Sequence, residues 1–161
     1  MIYLKGIIII LIMFICNLIG NIKANSFEKR YLELRKIKNS LGVFRSKLEF
    51  TYEPINEIFN EISKVIYDNK TNVFKCFIEN NDWNMAVDNQ KDFLLEDKEI
   101  IKSFGKMLGK LDKTGQLNEI NLVDSFLDKQ IENAYEIKNK NKKLYKFLGK
   151  SVGIAIAIVL I

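Results

Sequence analysis

Apolar residues are concentrated at the two ends of this chain and recur at helical spacing between them. Residues 6–22 (GIIIILIMFICNLIGNI) contain no charged side chain, and residues 151–161 (SVGIAIAIVLI) are almost entirely apolar. A helix rises about 1.5 Å per residue and a bilayer core is about 30 Å thick, so the first segment nearly spans a membrane alone. The second does so only if residues 145–150 also enter, with Lys146 and Lys150 reaching back to the interface. The pattern predicts transmembrane segments at residues 3–22 and 144–161.

The 26–143 region between these segments shows the three- and four-residue steps of amphipathic helices and no strand-like alternation of any length. It therefore predicts an all-α fold, roughly a six-helix bundle flanked by N-terminal and C-terminal transmembrane helices. The apolar stripes are, in chain order, Leu34, Ile37, Leu41, Phe44 and Leu48; Ile55, Ile58, Phe59, Ile62 and Val65 or Ile66; Val73, Phe74, Phe77 and Ile78; Trp83, Ala86 and Val87; Ile101, Phe104, Leu108 and Leu111; Leu117, Ile120, Leu127, Ile131 and Ala134.

Local chemistry marks the expected helix ends. Pro54 lies where proline is tolerated, at the start of the second helix, and residues 68–70 (DNK) should end that helix. Asp82 is a suitable N-cap for the fourth helix. Residues 112–115 (DKTG) are turn-like and should end the fifth helix. The sixth helix should run from residue 116 without interruption into the terminal apolar segment.

The first apolar segment has an alternative interpretation as a cleaved secretory signal. A cut after Ala24 would place Ile22 where signal peptidase requires a small residue, and the apolar stretch is long for a signal. A lipoprotein signal at Cys16 would place the equally bulky Ile15 before it. We therefore interpret this segment as a retained anchor, and a signal-cleaved, secreted helical binding protein remains the alternative.

The positive charges indicate an orientation. Lysine and arginine residues crowd the inner flanks of both anchors, whereas only Lys5 lies beyond them. Positively charged flanks stay in the cytoplasm, so the middle domain should be cytoplasmic. Residues 24–143 carry 21 Lys or Arg against 20 Asp or Glu. The domain therefore lacks the basic excess of a nucleic-acid-binding domain. The basic run at residues 138–150 should instead meet anionic lipid.

Candidate chemistry is sparse. The chain has no histidine, the commonest general base and metal ligand. Cys16 lies in an anchor and Cys76 on an apolar stripe, which is not the spacing of a zinc site or a disulfide. Residues 96–99 (EDKE) contain three carboxylates at a predicted helix start, and we expect them to form a solvated face. We predict no catalytic, cofactor-binding or metal-binding residue. An enzyme is disfavoured.

Glycines at four-residue spacing occur twice. Gly149 and Gly153, followed by Ala157, form the small-xxx-small pattern that lets membrane helices approach closely, although chance placement is an equal alternative. Gly105 and Gly109 repeat the spacing within the predicted fifth helix. Glycine inside a helix costs about 1 kcal/mol relative to alanine, so we expect close packing there to compensate.

Residues 104–120 read F-G-x-x-L-G-x-x-D-x-x-x-Q-x-x-x-I, which resembles the signature of the stage III sporulation protein AB family. The resemblance covers nearly the whole chain, since the N-terminal anchor, the charged first helix, Pro54 and the L-G-x-x-x-G of residues 148–153 occur in family order.

This resemblance implies a non-enzymatic membrane component of the channel between mother cell and forespore. The family's soluble domain is similar to the cytoplasmic six-helix domain of the type II secretion and type IV pilus inner-membrane platform protein. The implied partners are a secretion-type ATPase and other channel subunits, with the domain on the mother-cell side of the outer forespore membrane. No cofactor or nucleic acid is implied. A secreted or membrane-anchored helical binding or adaptor protein unrelated to sporulation is the alternative.

Two groups of residues are candidate partner and packing sites. Gly105, Gly109, Asp112 and Gln116 should shape the turn between the fifth and sixth helices and help to present a partner surface. Gly149 and Gly153 should pack the terminal anchor against another membrane helix, which includes homo-oligomer formation. Trp83 and Phe104 are expected in the core.

Overall fold

The computed structural model describes residues 2–51, 53–67 and 70–160, and this part of the chain contains six α-helices and no strand. The all-α prediction is confirmed. The chain divides into two compact units, unit 1 (Met1–Tyr31 and Asn133–Ile161) and unit 2 (Leu32–Glu132). The helices are α1 (Ile2–Phe50), α2 (Ile55–Tyr67), α3 (Val73–Asn80), α4 (Trp83–Asp88), α5 (Leu95–Met107) and α6 (Lys113–Leu160).

The core of unit 2 is aromatic. The predicted stripe of α1 is buried from Leu34 to Phe44, and Leu48 at its end is half-buried. Trp83 and Phe104 are buried, as predicted. Successive ring centroids lie 5.0–5.7 Å apart, mostly edge-to-face or tilted, and each such pair adds about 0.5–1.5 kcal/mol beyond burial. The cluster comprises Phe44, Phe59, Phe74, Phe77, Trp83 and Phe104.

Backbone and side-chain caps fix the short helices around this core. The Pro54 carbonyl accepts the first hydrogen bonds of α2, and α2 ends at Tyr67, while residues 68 and 69 of the predicted break lie outside the described residues. Asp82 caps α4 by accepting a hydrogen bond from the Met85 amide, as predicted. Asn72 caps α3 and also donates to the Ser63 hydroxyl of α2 at 2.9 Å, which ties the two helices together.

Three expectations around α5 were wrong. The helix ends at Met107, so Leu108 and Leu111 continue its apolar pattern without being helical, and Leu111 is 39% exposed. Residues 113–115 form the first turn of α6 instead of ending α5. The acidic group at the start of α5 is also not uniformly solvated. The Asp97 carboxylate is buried and accepts a hydrogen bond from the Leu94 amide at 2.9 Å, while Glu96 and Glu99 are exposed.

Among the described residues, one helix is long and apolar enough to cross a membrane. It is α1, whose most apolar 18-residue window has a mean hydropathy of 2.3 and is mostly unburied. The C-terminal part of α6 is helical to Leu160, but it carries Lys143, Lys146 and Lys150. A transmembrane C-terminal segment therefore stays a prediction.

Candidate functional site

The connection between α5 and α6 is a type II β-turn centred on Leu108 and Gly109. Leu108 has φ −58° and ψ 122°, Gly109 has φ 69°, and the Lys110 amide donates to the Met107 carbonyl at 3.2 Å. The second central position of this turn type requires a positive φ, which glycine adopts without a steric penalty. Gly109 is thus needed for its backbone conformation, and the predicted helical packing role was wrong.

Asp112 and Gln116 complete this turn. The Asp112 carboxylate accepts a hydrogen bond from the Gly115 amide at 3.0 Å, and its carbonyl accepts from the Gln116 amide at 2.9 Å, so Asp112 caps α6. The Gln116 side chain donates back to the Leu111 carbonyl at 2.9 Å. Three of the four residues predicted to shape this turn therefore do so together.

Gly105 serves a different purpose. A Cβ atom at this position would lie 1.9 Å from Cδ1 of Trp83, whose indole nitrogen donates to the Ile101 carbonyl at 2.8 Å. Because Gly105 has no side chain, the Trp83 indole packs directly against the backbone of α5. The predicted compensation by close packing is correct here, and the partner is the core of unit 2 itself.

Gly149 and Gly153 pack against α1 of the same chain within unit 1. A Cβ at Gly149 would lie 2.8 Å from the Cys16 carbonyl oxygen and 3.0 Å from Cα of Gly20. A Cβ at Gly153 would lie 3.3 Å from Cα of Met13. The small-residue face of the C-terminal segment is therefore used intramolecularly, and Gly20 is the facing residue that sequence reasoning missed. A glycine inside the N-terminal apolar segment was the available clue.

Polar contacts continue this helix pair beyond the apolar segments. The Lys142 ammonium donates to the Glu28 carboxylate at 2.7 Å, and Arg30 donates to the Asn133 amide oxygen at 3.1 Å. Lys142 lowers the pKa of Glu28 through this hydrogen bond. Lys138 lies over the Tyr31 ring, 4.3 Å from its centroid. The two arms of unit 1 are thus paired along both their apolar and their polar parts.

The described residues contain no group of three or more His, Cys, Asp or Glu side chains placed to hold a metal ion. Cys76 is buried, and burial raises the pKa of its thiol, which disfavours the nucleophilic thiolate. The structural features that stand out are accordingly a glycine-built turn and a glycine-packed helix pair.

The profile of the stage III sporulation protein AB family matches residues 5–161. The chain belongs to the stage III sporulation protein AB family. The stage III sporulation protein AB of Bacillus subtilis (strain 168) is 23% identical over 149 residues, which are 85% of this chain and 87% of that protein. No solved structure matches the chain. Membership in the stage III sporulation protein AB family assigns the protein to sporulation.

Proposed function

We propose that this protein is a non-enzymatic membrane component of the channel complex between mother cell and forespore. In this proposal both apolar segments lie in the membrane, and unit 2 lies in the cytoplasm and docks a secretion-type ATPase. Family membership supports the role in sporulation. The main structural support for a membrane scaffold is the glycine-mediated pairing of the two terminal segments. A scaffold needs membrane helices that keep a fixed arrangement, and this pairing provides one.

The pairing supports a retained N-terminal anchor. If residues 1–24 were cleaved as a signal, Gly149 and Gly153 would lose the backbone surface of α1 against which they pack. An apolar C-terminal segment with an open glycine face would remain. Retention keeps every one of these contacts, and it gives the marginal second segment a partner helix in the membrane.

The polar ends of unit 1 support the cytoplasmic orientation. Unit 1 contains ten lysine or arginine residues against two acidic ones, and all but Lys5 lie on the inner flanks of the apolar segments or just inside them. Positive charge next to a membrane segment favours the cytoplasmic side. This distribution supports the placement of unit 2 on that side.

One end of unit 2 offers a surface for the ATPase. The Lys113 ammonium donates to the Glu49 carbonyl at 2.7 Å, which brings the end of α1 beside the start of α6. Phe50 is 78% exposed and Leu111 is 39% exposed at this end. Aromatic side chains, phenylalanine included, are enriched in the cores of protein interfaces. We therefore assign the predicted partner surface to Phe50, Leu111 and the turn at residues 107–112.

A clean deletion scored separately for growth and spore yield tests the proposed role. We expect normal vegetative growth and forespores that complete engulfment and then stop developing. Normal spore yield would contradict the role in the channel complex. It would favour a membrane-anchored helical adaptor that acts elsewhere.

Docking is tested by co-purification of the secretion-type ATPase of the same sporulation complex with full-length protein. Phe50→Asp should reduce the recovered ATPase at least about tenfold, as expected for the loss of an interface anchor. Val65→Asp is the matched control, because Val65 is 71% exposed on α2 and should tolerate the same change. Equal losses in both variants, or none in either, would contradict this docking surface.

A further inference from the structure

A groove of about 430 Å³ runs along one side of the helix pair in unit 1. Four of its lining side chains are large and apolar, whereas the other two carry an amide and an ammonium group. The lining residues are Ile10, Met13, Phe14, Asn17, Lys150 and Ile154.

The two polar groups both offer hydrogen-bond donors. The Asn17 amide oxygen accepts from the Asn21 amide nitrogen at 3.4 Å, which leaves the Asn17 nitrogen as a donor. Lys150 has three donors and no acceptor capacity. Neither the Asn17 nitrogen nor the Lys150 ammonium donates a hydrogen bond to another of the described residues. In a membrane, such donors are costly unless an anion or another acceptor satisfies them.

The groove is amphiphilic along its length. Because Gly20 packs on Gly149 and Gly153 packs on Met13, the two helices run antiparallel, and Asn17 and Lys150 lie at the same end. Ile154 is one turn beyond Lys150 on α6, and Ile10 is two turns before Asn17 on α1, so both lie in the same direction along the pair, away from the polar end. The apolar wall extends about 10 Å from the polar end, from the helical rise over seven residues.

We propose that this groove binds one anionic phospholipid, with its phosphate on the Lys150 ammonium and the Asn17 amide nitrogen and an acyl chain along the apolar wall. The inference rests on the proposed membrane placement of unit 1. Basic pockets between membrane helices on the cytoplasmic side are suited to anionic headgroups. A partner helix fits this wall less well, because close helix contacts use small residues, and Gly149 and Gly153 of α6 already face α1.

Lipid binding to the full-length protein in mild detergent provides the test, with bound lipids counted by native mass spectrometry. The probes are phosphatidylglycerol and phosphatidylcholine with identical acyl chains. We expect one tightly held phosphatidylglycerol. Lys150→Gln should weaken its binding at least about tenfold, because charge-assisted hydrogen bonds are lost. Asn17→Leu should have a smaller effect in the same direction. Lys143→Gln, which removes an exposed charge outside the groove, should change binding less than about twofold.

Equal weakening by Lys150→Gln and Lys143→Gln would show diffuse attraction to the basic segment and overturn the site. Equal binding of the two lipids would do the same. If glycerol phosphate displaced phosphatidylglycerol completely, Lys150 and Asn17 would form a site for a soluble anion, and the lipid site would also be overturned. Lipid-free dimers that Lys150→Gln abolishes would assign the groove to a second copy. A chain that stays monodisperse without detergent would contradict the membrane placement and hence both proposals, whereas the other outcomes leave the sporulation role intact.

Discussion

Gly105 and Gly42 are both helical glycines, but only one of them has a packing reason. A methyl group at Gly105 would clash with Trp83, whereas nothing lies within 4 Å of a Cβ at the exposed Gly42. Gly105→Ala should therefore destabilise the protein by about 2–3 kcal/mol through overpacking. Gly42→Ala should stabilise it by about 0.5–1 kcal/mol through helix propensity. Thermal unfolding followed by circular dichroism measures both. A stabilised Gly105→Ala would contradict the close indole contact.

Gly109 tests backbone strain without a steric clash. The nearest side-chain atom to a Cβ there, Cδ1 of Ile55, lies at an ordinary 3.9 Å, while φ is 69°. Gly109→Ala should cost about 1–2 kcal/mol, the penalty for a left-handed conformation. Gly109→Asn should cost less, because asparagine tolerates this region, as Asn81 does at φ 54° in this protein. Equal unfolding midpoints for wild type and the alanine variant would contradict the turn assignment.

At the scale of helices, the sequence pattern predicts whatever depends on local chemistry. The stripe from Leu34 to Phe44 and the Asp82 cap were both predictable, because spacing and capping are local. The end of α5 was not, because Leu111 keeps the apolar period while Gly109 leaves the helix. The partner of Gly149 was not predictable either. Gly20 lies 129 residues away along the chain, and small-residue spacing does not identify the facing helix.

The pairing of α1 with the C-terminal part of α6 can be tested with an engineered disulfide. A Cβ at position 153 would lie 3.5 Å from Cβ of Cys16, at the near edge of the disulfide range. Gly153→Cys, in a Cys76→Ser background, should form an intramolecular bond with Cys16 on mild oxidation. The product would migrate faster in a non-reducing gel. Ala155→Cys, two residues along and exposed, is the matched control and should not cross-link efficiently. Efficient cross-linking by the control alone would contradict the observed register.

For the whole molecule, charge is divided unequally. Unit 1 carries ten basic and two acidic residues, whereas unit 2 carries 15 basic and 18 acidic ones. The excess positive charge thus belongs to the part proposed to contact the membrane, and unit 2 has a small negative excess. A net charge of +5 for the chain conceals this division, which becomes apparent only when residues are assigned to units.

The proposed orientation makes a prediction that can be measured in cells. With Cys16 and Cys76 replaced by serine, a single cysteine at the exposed Ser125 of unit 2 should resist a membrane-impermeant maleimide in intact cells. It should react fully after permeabilisation, because the proposed orientation, based on the basic flanks, places unit 2 in the cytoplasm. The mature chain should also keep its N-terminus and a mass of 18.8 kDa. Labelling of Ser125→Cys in intact cells would contradict the proposed orientation and place unit 2 outside the cytoplasm. A shorter chain that begins after Ala24 would instead identify a secreted protein and remove the helix pair on which the scaffold depends.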